Sequence, residues 1–159
     1  MRAAVVTVSD GVAAGERDDE SGRLLVELLE AERYDVEHRV VPDERPQISA
    51  AIRELSRTAR LILTTGGTGV SPRDITPEAT KSVLDRPVPG IAEAIRADAI
   101  SKTPHGLLGR GVAGVRGQTL VVNLPGSPGG CRDGFALLKP ALEHALRLIA
   151  GDRTEHVQT

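Results

Sequence analysis

The chain has 159 residues, 40% of them hydrophobic and 26% charged, with a formal net charge of −2. This composition indicates a single globular domain with a full core, which we expect over residues 1–151, followed by a polar tail over 152–159. Tyr34 and Phe135 are the only aromatic residues, which excludes base stacking on an aromatic platform. The small negative charge excludes strong attraction to nucleic acid or anionic membranes.

Strands and helices alternate in the first half of the sequence. A β-branched run over 3–8 predicts a buried strand that ends in a loop at Ser9. Leucines spaced three and four apart after the polar stretch 16–21 predict an amphipathic helix. A second strand over 34–41, a helix near Pro46 and a third buried strand at 61–63 follow, and this order is typical of βαβ units.

The second half continues with shorter elements. Thr76 and Pro77 predict a helix start, with Thr76 as the N-cap and Pro77 in the first helical position. The remaining predicted elements are a helix over 91–100, two strands over 111–116 and 118–123 that turn at Gly117, and a helix over 132–150 that ends at Gly151.

This order of elements predicts an α/β fold. The sheet is expected to be mostly parallel, with right-handed crossovers, helices on both faces and one local antiparallel pair. Ligands of such folds bind beyond the carboxyl ends of the strands. Four loops rich in glycine, proline or small polar residues lie there, at residues 9–10, 42–44, 65–77 and 125–130.

The glycine-rich loop Gly66–Gly69 is the most informative of the four. Several backbone N–H groups in such a loop can point at one phosphate, and the missing side chains leave room for a flat ring. It matches neither a P-loop nor a dinucleotide-binding fingerprint. The loop alone is equally consistent with a flexible turn that needs positive φ.

Two aspartates follow predicted strands. Asp43 and Asp74 could each be a turn or capping residue. At the carboxyl ends of neighbouring strands they could instead share a Mg²⁺ that neutralises a polyphosphate. Ser127 precedes the last helix, where a capping serine and an anion contact are compatible.

Other polar residues have simpler interpretations. Asp18–Glu20 is interpreted as a solvated acidic face near a helix start, and Cys131 as a small, semi-buried residue rather than a nucleophile. The four histidines lack the spacing of a zinc site. One cysteine, no signal-like start and no apolar run of about 20 residues predict a cytoplasmic protein that does not span a membrane.

Three motifs in order resemble a known family. Thr64–Gly69, Pro72–Glu78 and Val122–Pro128 are similar to the MogA/MoaB proteins, the molybdopterin adenylyltransferase family of molybdenum cofactor biosynthesis. The likeness extends from the first strand to the last helix. Motifs of this length in this order are far more specific than a lone glycine loop.

The resemblance implies a three-layer α/β/α sandwich, a homotrimer, and transfer of AMP from Mg-ATP to the terminal phosphate of molybdopterin with release of pyrophosphate. A partner protein would then insert molybdate. Asp43 and Asp74 fall on the family's functional aspartates, as catalytic residues and Mg²⁺ ligands. The implied substrate-binding residues are Ser9, Asp10, Thr65, Gly66, Gly67, Thr68, Gly69, Gly126 and Ser127.

The sequence departs from the family pattern at two places. Gly109 replaces a serine often found there, and Gly129-Gly130 replace a lysine and a small residue, which removes a possible phosphate contact. Two alternatives to the enzyme therefore remain. One is a non-catalytic protein that binds and delivers molybdopterin, and the other is a scaffold trimer without pterin affinity.

Overall fold

A computed structural model describes residues 1–152 of the chain. This part contains one mixed sheet, and its strands run in the spatial order β2-β1-β3-β6-β5-β4. The strands are β1 (Arg2–Val8), β2 (Asp35–Val41), β3 (Leu61–Thr65), β4 (Arg86–Pro87), β5 (Ala113–Arg116) and β6 (Thr119–Leu124).

The helices lie on both faces of this sheet. They are α1 (Asp10–Ala13), α2 (Glu20–Ala31), α3 (Arg45–Leu55), α4 (Thr76–Lys81), α5 (Pro89–Lys102) and α6 (Pro128–Ile149), with a 3₁₀ helix over Pro104–Leu108.

The sheet has a parallel and an antiparallel part. β2, β1, β3 and β6 pair in parallel, whereas β5 pairs antiparallel with β6 and with β4. The predicted α/β fold with a local antiparallel pair is confirmed. The expectation that Asp43 and Asp74 follow neighbouring strands is wrong, because β1 lies between β2 and β3.

Alternating side chains of the central strands supply two cores. Val5 and Leu63 pack on one face with α2 and α6, and Val6 and Ile62 pack on the other face with α3. Successive side chains of a strand point to opposite faces, so a strand covered on both sides must be apolar throughout. The buried pattern of β1 and β3 follows this rule and fixes the sandwich of three layers.

Three local predictions need correction. The loop after β1 contains the four-residue helix α1, which has no buried residue and is capped by the Ser9 hydroxyl. Thr76 is not an N-cap: α4 has Ile75 in that position, and the Thr76 hydroxyl donates to the Gly66 carbonyl instead (2.9 Å). Helix α6 begins at Pro128, one turn earlier than predicted.

Cys131 is fully buried rather than semi-buried. Its thiol lies 3.1 Å from the Pro125 carbonyl and 3.2 Å from the Thr65 hydroxyl. Burial raises the pKa of the Cys131 thiol to about 11. The thiol therefore stays protonated at neutral pH, as the prediction of a non-nucleophilic residue requires. Residues 153–159, most of the predicted tail, lie outside the described residues.

Candidate functional site

A cleft of about 330 Å³ opens at the carboxyl ends of β1 and β3. From β1 the chain crosses to β2 on one side, and then returns over β1 to β3 on the other side. A change of direction of this kind leaves a crevice in open α/β sheets. We call it the acidic cleft, and its walls include Ser9, Asp19, Asp43, Gly66, Gly67, Asp74 and Gly126.

Two glycines let the loop after β3 turn sharply at the floor of this cleft. Gly66 has φ of +96°, and a β-carbon there would lie 2.2 Å from the Val8 carbonyl oxygen. Gly67 has φ of +67°, and a β-carbon there would lie 2.3 Å from the Thr76 hydroxyl and 3.1 Å from Asp43 Oδ1. Only glycine satisfies both the backbone angle and the space at these positions.

Asp43 is held by a reciprocal contact with Asp10. The Asp10 backbone N–H donates to Asp43 Oδ2, and the Asp43 backbone N–H donates to Asp10 Oδ1, both over 2.9 Å. Arg73 completes the arrangement because its guanidinium donates to both carboxylate oxygens of Asp10 and to Glu44. Both carboxylate oxygens of Asp10 therefore accept hydrogen bonds from the protein, and Asp10 orients Asp43.

Asp74 lines the same cleft from the segment between β3 and α4. Its Oδ2 accepts a hydrogen bond from the Ser71 backbone N–H, and its own N–H donates to the Ser71 carbonyl, both over 2.9 Å. The Arg110 guanidinium donates to the Asp74 carbonyl over 2.9 Å. The carboxylate is therefore fixed by its own turn and by a residue from a distant part of the chain.

The two aspartates of the reciprocal contact have opposite pKa shifts. Burial is the main cause that raises the pKa of Asp43, and the charges of Asp10 and Asp74 raise it further. The hydrogen bond from Arg73 is the main cause that lowers the pKa of Asp10. Asp43 and Asp74 are thus close enough to repel each other, and a cation between them would relieve that repulsion.

The donor set fits Mg²⁺ when a substrate supplies further ligands. Within residues 1–152, Asp43 and Asp74 each use Oδ2 as a hydrogen-bond acceptor, and Oδ1 of each accepts none. No group of three or more His, Cys, Asp or Glu side chains in this range could hold a metal ion. Mg²⁺ commonly binds one or two protein carboxylates together with substrate phosphates and water.

A second cavity of about 450 Å³ lies beside the acidic cleft. We call it the apolar cavity, because its walls are mainly apolar, with Arg96, Lys102 and Asp133 among the charged residues of its lining. Thr68 and Ser127 of the predicted substrate loops face it. Its apolar wall residues are Ala92, Ile95, Ala99, Leu124 and Pro125.

The loop after β6 separates the two cavities. Gly126 lines the acidic cleft, and Ser127 lines the apolar cavity. The Ser127 hydroxyl accepts a hydrogen bond from the Gly130 N–H and caps α6. Thr65 is completely buried beneath this loop, and its hydroxyl donates to the Pro125 carbonyl (2.7 Å).

The structure distributes the predicted site residues over three places. Asp43, Asp74, Ser9, Thr65, Gly66, Gly67 and Gly126 border the acidic cleft, and Thr68 and Ser127 border the apolar cavity. Asp10 and Gly69 border neither, because Asp10 pairs with Arg73 and Gly69 contributes its carbonyl to Arg110.

Sequence reasoning missed the contacts of a mostly buried aspartate in the wall of the acidic cleft. Asp19 is not part of a solvated acidic face: it caps α2 by accepting from the Gly22 N–H, and its side chain is only 12% exposed. Its Oδ2 accepts from the Thr7 hydroxyl over 2.7 Å and lies 3.0 Å from His38 Nε2. Only the helix-start position of Asp19 could have been inferred from sequence.

Comparison with known proteins identifies the family. The model described as "Probable molybdopterin binding domain" matches residues 4–144. The chain belongs to this family. The MogA/MoaB family of molybdenum cofactor biosynthesis, which the motifs predicted, is thereby confirmed.

Individual members of the MogA/MoaB family are similar over nearly the whole chain. Molybdopterin adenylyltransferase from Helicobacter pylori strain J99 is 35% identical, over 93% of this chain and 87% of the relative. The crystal structure of the molybdopterin biosynthesis enzyme MoaB from Thermus thermophilus has a TM-score of 0.88 at 48% identity, covering 94% of this chain and 96% of that one. The molybdopterin biosynthesis Mog protein from Mycobacterium ulcerans has a TM-score of 0.88 at 45% identity, covering 93% and 98%.

Longer relatives carry this domain as one part. The chain is 39% identical to gephyrin from Dictyostelium discoideum over 91% of its own length, but it spans only 22% of that relative. It likewise spans 25% of the molybdenum cofactor synthesis protein cinnamon from Drosophila melanogaster. In residues 1–152 no helix combines the length and apolarity needed to cross a membrane.

Proposed function

We propose that this protein is a molybdopterin adenylyltransferase, which transfers AMP from Mg-ATP to the terminal phosphate of molybdopterin. A phosphate oxygen of the pterin attacks the α-phosphorus of ATP, the bond to the β-phosphate oxygen breaks, and pyrophosphate leaves. Two relatives that are 35% identical carry the name molybdopterin adenylyltransferase, and this supports the proposal. The pair of carboxylates at the cleft supports it as well.

The single observation that carries the proposal is that Asp43 and Asp74 line one cleft, each with Oδ1 free of protein donors within residues 1–152. These two oxygens would hold Mg²⁺, which supplies charge neutralisation at the polyphosphate. Asp10 and Arg73 keep Asp43 in place from outside the cleft. Catalysis would rest on positioning and electrostatics.

The loops supply the remaining parts. Gly66, Gly67 and Gly126 border the cleft and have no side chains that would block a phosphate. Backbone N–H groups of such glycine-rich loops can bind a phosphate. The loop after β6, which we call the loop wall, separates the cleft from the apolar cavity. The apolar cavity has room for the ring system of the pterin. The charged and uncharged ends of one substrate would therefore lie on the two sides of the wall.

The test is release of pyrophosphate from ATP in the presence of molybdopterin and Mg²⁺. We expect release by the unchanged protein and a loss of more than about 100-fold in Asp74→Asn, since the neutral amide is a poor ligand for a hard cation. Asp35→Asn is the matched control, because Asp35 is an exposed aspartate at the amino end of β2, paired with Arg2.

The rival function is a non-catalytic protein that binds and delivers molybdopterin. Gly129 and Gly130 stand where a lysine and a small residue are common in the family, so a possible phosphate contact is missing and substrate affinity has to be measured beside activity. Tight pterin binding without pyrophosphate release, while an active relative works in the same assay, would establish the rival. We further propose that the protein forms a homotrimer, which the molar mass from light scattering would test. We also propose that a partner protein inserts molybdate after the transfer of AMP.

A further inference from the structure

Arg110 borders neither the acidic cleft nor the apolar cavity. It belongs to the segment between the 3₁₀ helix and β5, and its neighbours Gly109 and Gly111 line the apolar cavity. Its backbone N–H donates to the Thr68 carbonyl over 2.9 Å. The backbone thus brings Arg110 directly against the loop that carries Asp74.

The Arg110 side chain contacts this loop at both ends. Nε donates to the Gly69 carbonyl over 2.7 Å, and Nη2 donates to the Asp74 carbonyl over 2.9 Å. Nη1 pairs with Glu78 in the first turn of α4. One planar group therefore joins the start of the loop, the proposed metal-binding residue and the helix that follows.

Among the intervening residues, Arg73 makes the other long-range contact, because its guanidinium donates to Asp10 and Glu44. Residues 70–73 are exposed, and Asp74 is tied to Ser71 only within its own turn. Beyond that turn, the Thr76 hydroxyl and N–H hold the end of the segment to Gly66 and Gly67. The Asp74 carbonyl itself accepts from Arg110. This contact, together with the Arg73–Asp10 pair, sets where the Asp74 carboxylate lies relative to Asp43.

We propose that Arg110 is a positioning residue that holds Asp74 in place for cation binding and for the transfer of AMP, an inference that rests on the proposed function. A guanidinium has five N–H donors in a rigid plane and can bond two carbonyls and a carboxylate at once. A lysine carries the same charge but cannot reproduce that fork. A displacement of about 1 Å in a reacting group can reduce a rate by about 100-fold.

Glu78 supports the arrangement and depends on it. The hydrogen bond from Arg110 is the main cause that lowers the pKa of Glu78, so this carboxylate stays charged. Its Oε2 is buried and has no hydrogen-bond partner within residues 1–152. The ion pair therefore keeps the guanidinium turned toward the loop.

Arg110→Lys tests the proposal, with Arg116→Lys as the matched control. Arg116 is also half-buried and bonds a carbonyl, that of Val83, and the Ser56 hydroxyl at the far end of β5. Amide hydrogen exchange of peptides covering 69–75 is the first measurement. We expect exchange about tenfold faster in Arg110→Lys, because the hydrogen bonds that close the segment are lost, and no change in Arg116→Lys.

Pyrophosphate release is the second measurement. We expect kcat of Arg110→Lys to fall by about 10-fold to 100-fold while KM for ATP changes by less than about threefold, because the residue acts through Asp74 and touches no substrate. The Mg²⁺ concentration needed for half-maximal rate should rise. Arg116→Lys should retain the parent values of all three quantities.

Three results would overturn the proposal: unchanged exchange over 69–75 in Arg110→Lys, the same loss of kcat in both variants, or a change confined to KM. Arg110→Gln replaces Arg110→Lys if the latter does not fold, with the same expected direction. If the protein without substitutions releases no pyrophosphate, the adenylyltransferase proposal is refuted. Hydrogen exchange does not depend on activity, so the exchange data would still decide whether Arg110 holds the loop.

Discussion

The acidic cleft and the apolar cavity share a wall but differ in almost every side chain that borders them. The cleft of about 330 Å³ is lined by carboxylates, Asp43 and Asp74 among them, and by glycines without side chains. The cavity of about 450 Å³ presents Ala92, Ile95 and Leu124. The first is suited to a cation and phosphates, and the second to the flat, weakly polar body of a ligand.

The difference between the acidic cleft and the apolar cavity shows how one protein could bind a substrate that has a charged end and a ring. The reacting phosphate must lie among fixed charges, whereas the ring gains most from contact with apolar surface. The shared loop, with Gly126 on one side and Ser127 on the other, would let both ends of the proposed substrate bind at once. Substitutions on the two sides should therefore affect different measured quantities.

Asp43→Asn gives the largest expected effect and acts on the cleft alone. We expect the rate of AMP transfer to fall by about 100-fold or more and the Mg²⁺ requirement to rise, because an amide oxygen binds a hard cation weakly. Pterin affinity, measured by calorimetry without Mg²⁺, should stay within about threefold of the parent value, since the proposed ring site is the apolar cavity rather than the acidic cleft.

The stability of Asp43→Asn serves as its internal control. The folded-state pKa of Asp43 is raised above its ordinary value, so the folded chain holds this proton more tightly than the unfolded chain. Its stability contribution is present at low pH and is lost as pH rises through the window between the two pKa values. At pH 7 a neutral asparagine should therefore not lower the melting temperature, and a large decrease would contradict this assignment.

The same pKa shift predicts how acid affects the cleft. Below the raised pKa of Asp43, a proton competes with the cation, and the half-saturating Mg²⁺ concentration should rise about tenfold per pH unit. The rise should begin above about pH 3.9, where an unperturbed aspartate titrates. Titrations of Mg²⁺ at several pH values measure this slope, and a slope that persists unchanged in Asp43→Asn would assign it to another group.

Ala99→Phe changes the apolar cavity and leaves the acidic cleft unaltered. Ala99 borders the apolar cavity and is half-buried, so a larger ring can occupy part of the cavity without entering the core. We expect pterin affinity to fall about tenfold, equivalent to ~1.4 kcal/mol, while the Mg²⁺ dependence stays unchanged. Calorimetry measures the first quantity and the pyrophosphate assay the second. A changed Mg²⁺ requirement would mean that the two cavities are not independent.

The fold was largely predictable because its signal is local. The apolar runs of β1 and β3 and the stripe of α2 repeat with the periods of a strand and a helix. Helix α1 was missed because it has four residues and buries none of them, so it leaves no apolar pattern. Thr76 was misassigned as a cap because its partner, the Gly66 carbonyl, lies ten positions away in sequence.

The acidic cleft was predictable only where a motif marks a residue. Asp43 and Asp74 follow strands, and the topology of the sheet brings their loops to one crevice. Asp19 was misassigned because it caps α2, whereas its partners Thr7 and His38 lie on β1 and β2. The role of Arg110 was equally hidden, since no spacing in the sequence relates it to the carbonyl of Asp74.

The smallest expected effects come from two serines that cap helices on opposite sides of the loop wall. Ser127 caps the 22-residue α6 and faces the apolar cavity, whereas Ser9 caps the four-residue α1 and faces the acidic cleft. Ser127→Ala should lose ~1 kcal/mol of stability, a decrease of about 2–4 °C in melting temperature, because the Gly130 N–H loses its acceptor. Ser9→Ala should lose less, since α1 buries no residue.

Pterin affinity should fall in Ser127→Ala and not in Ser9→Ala. Equal losses of affinity in the two variants would show that the pterin contacts both sides of the wall, and the proposed separation of the phosphate end from the ring would then be wrong.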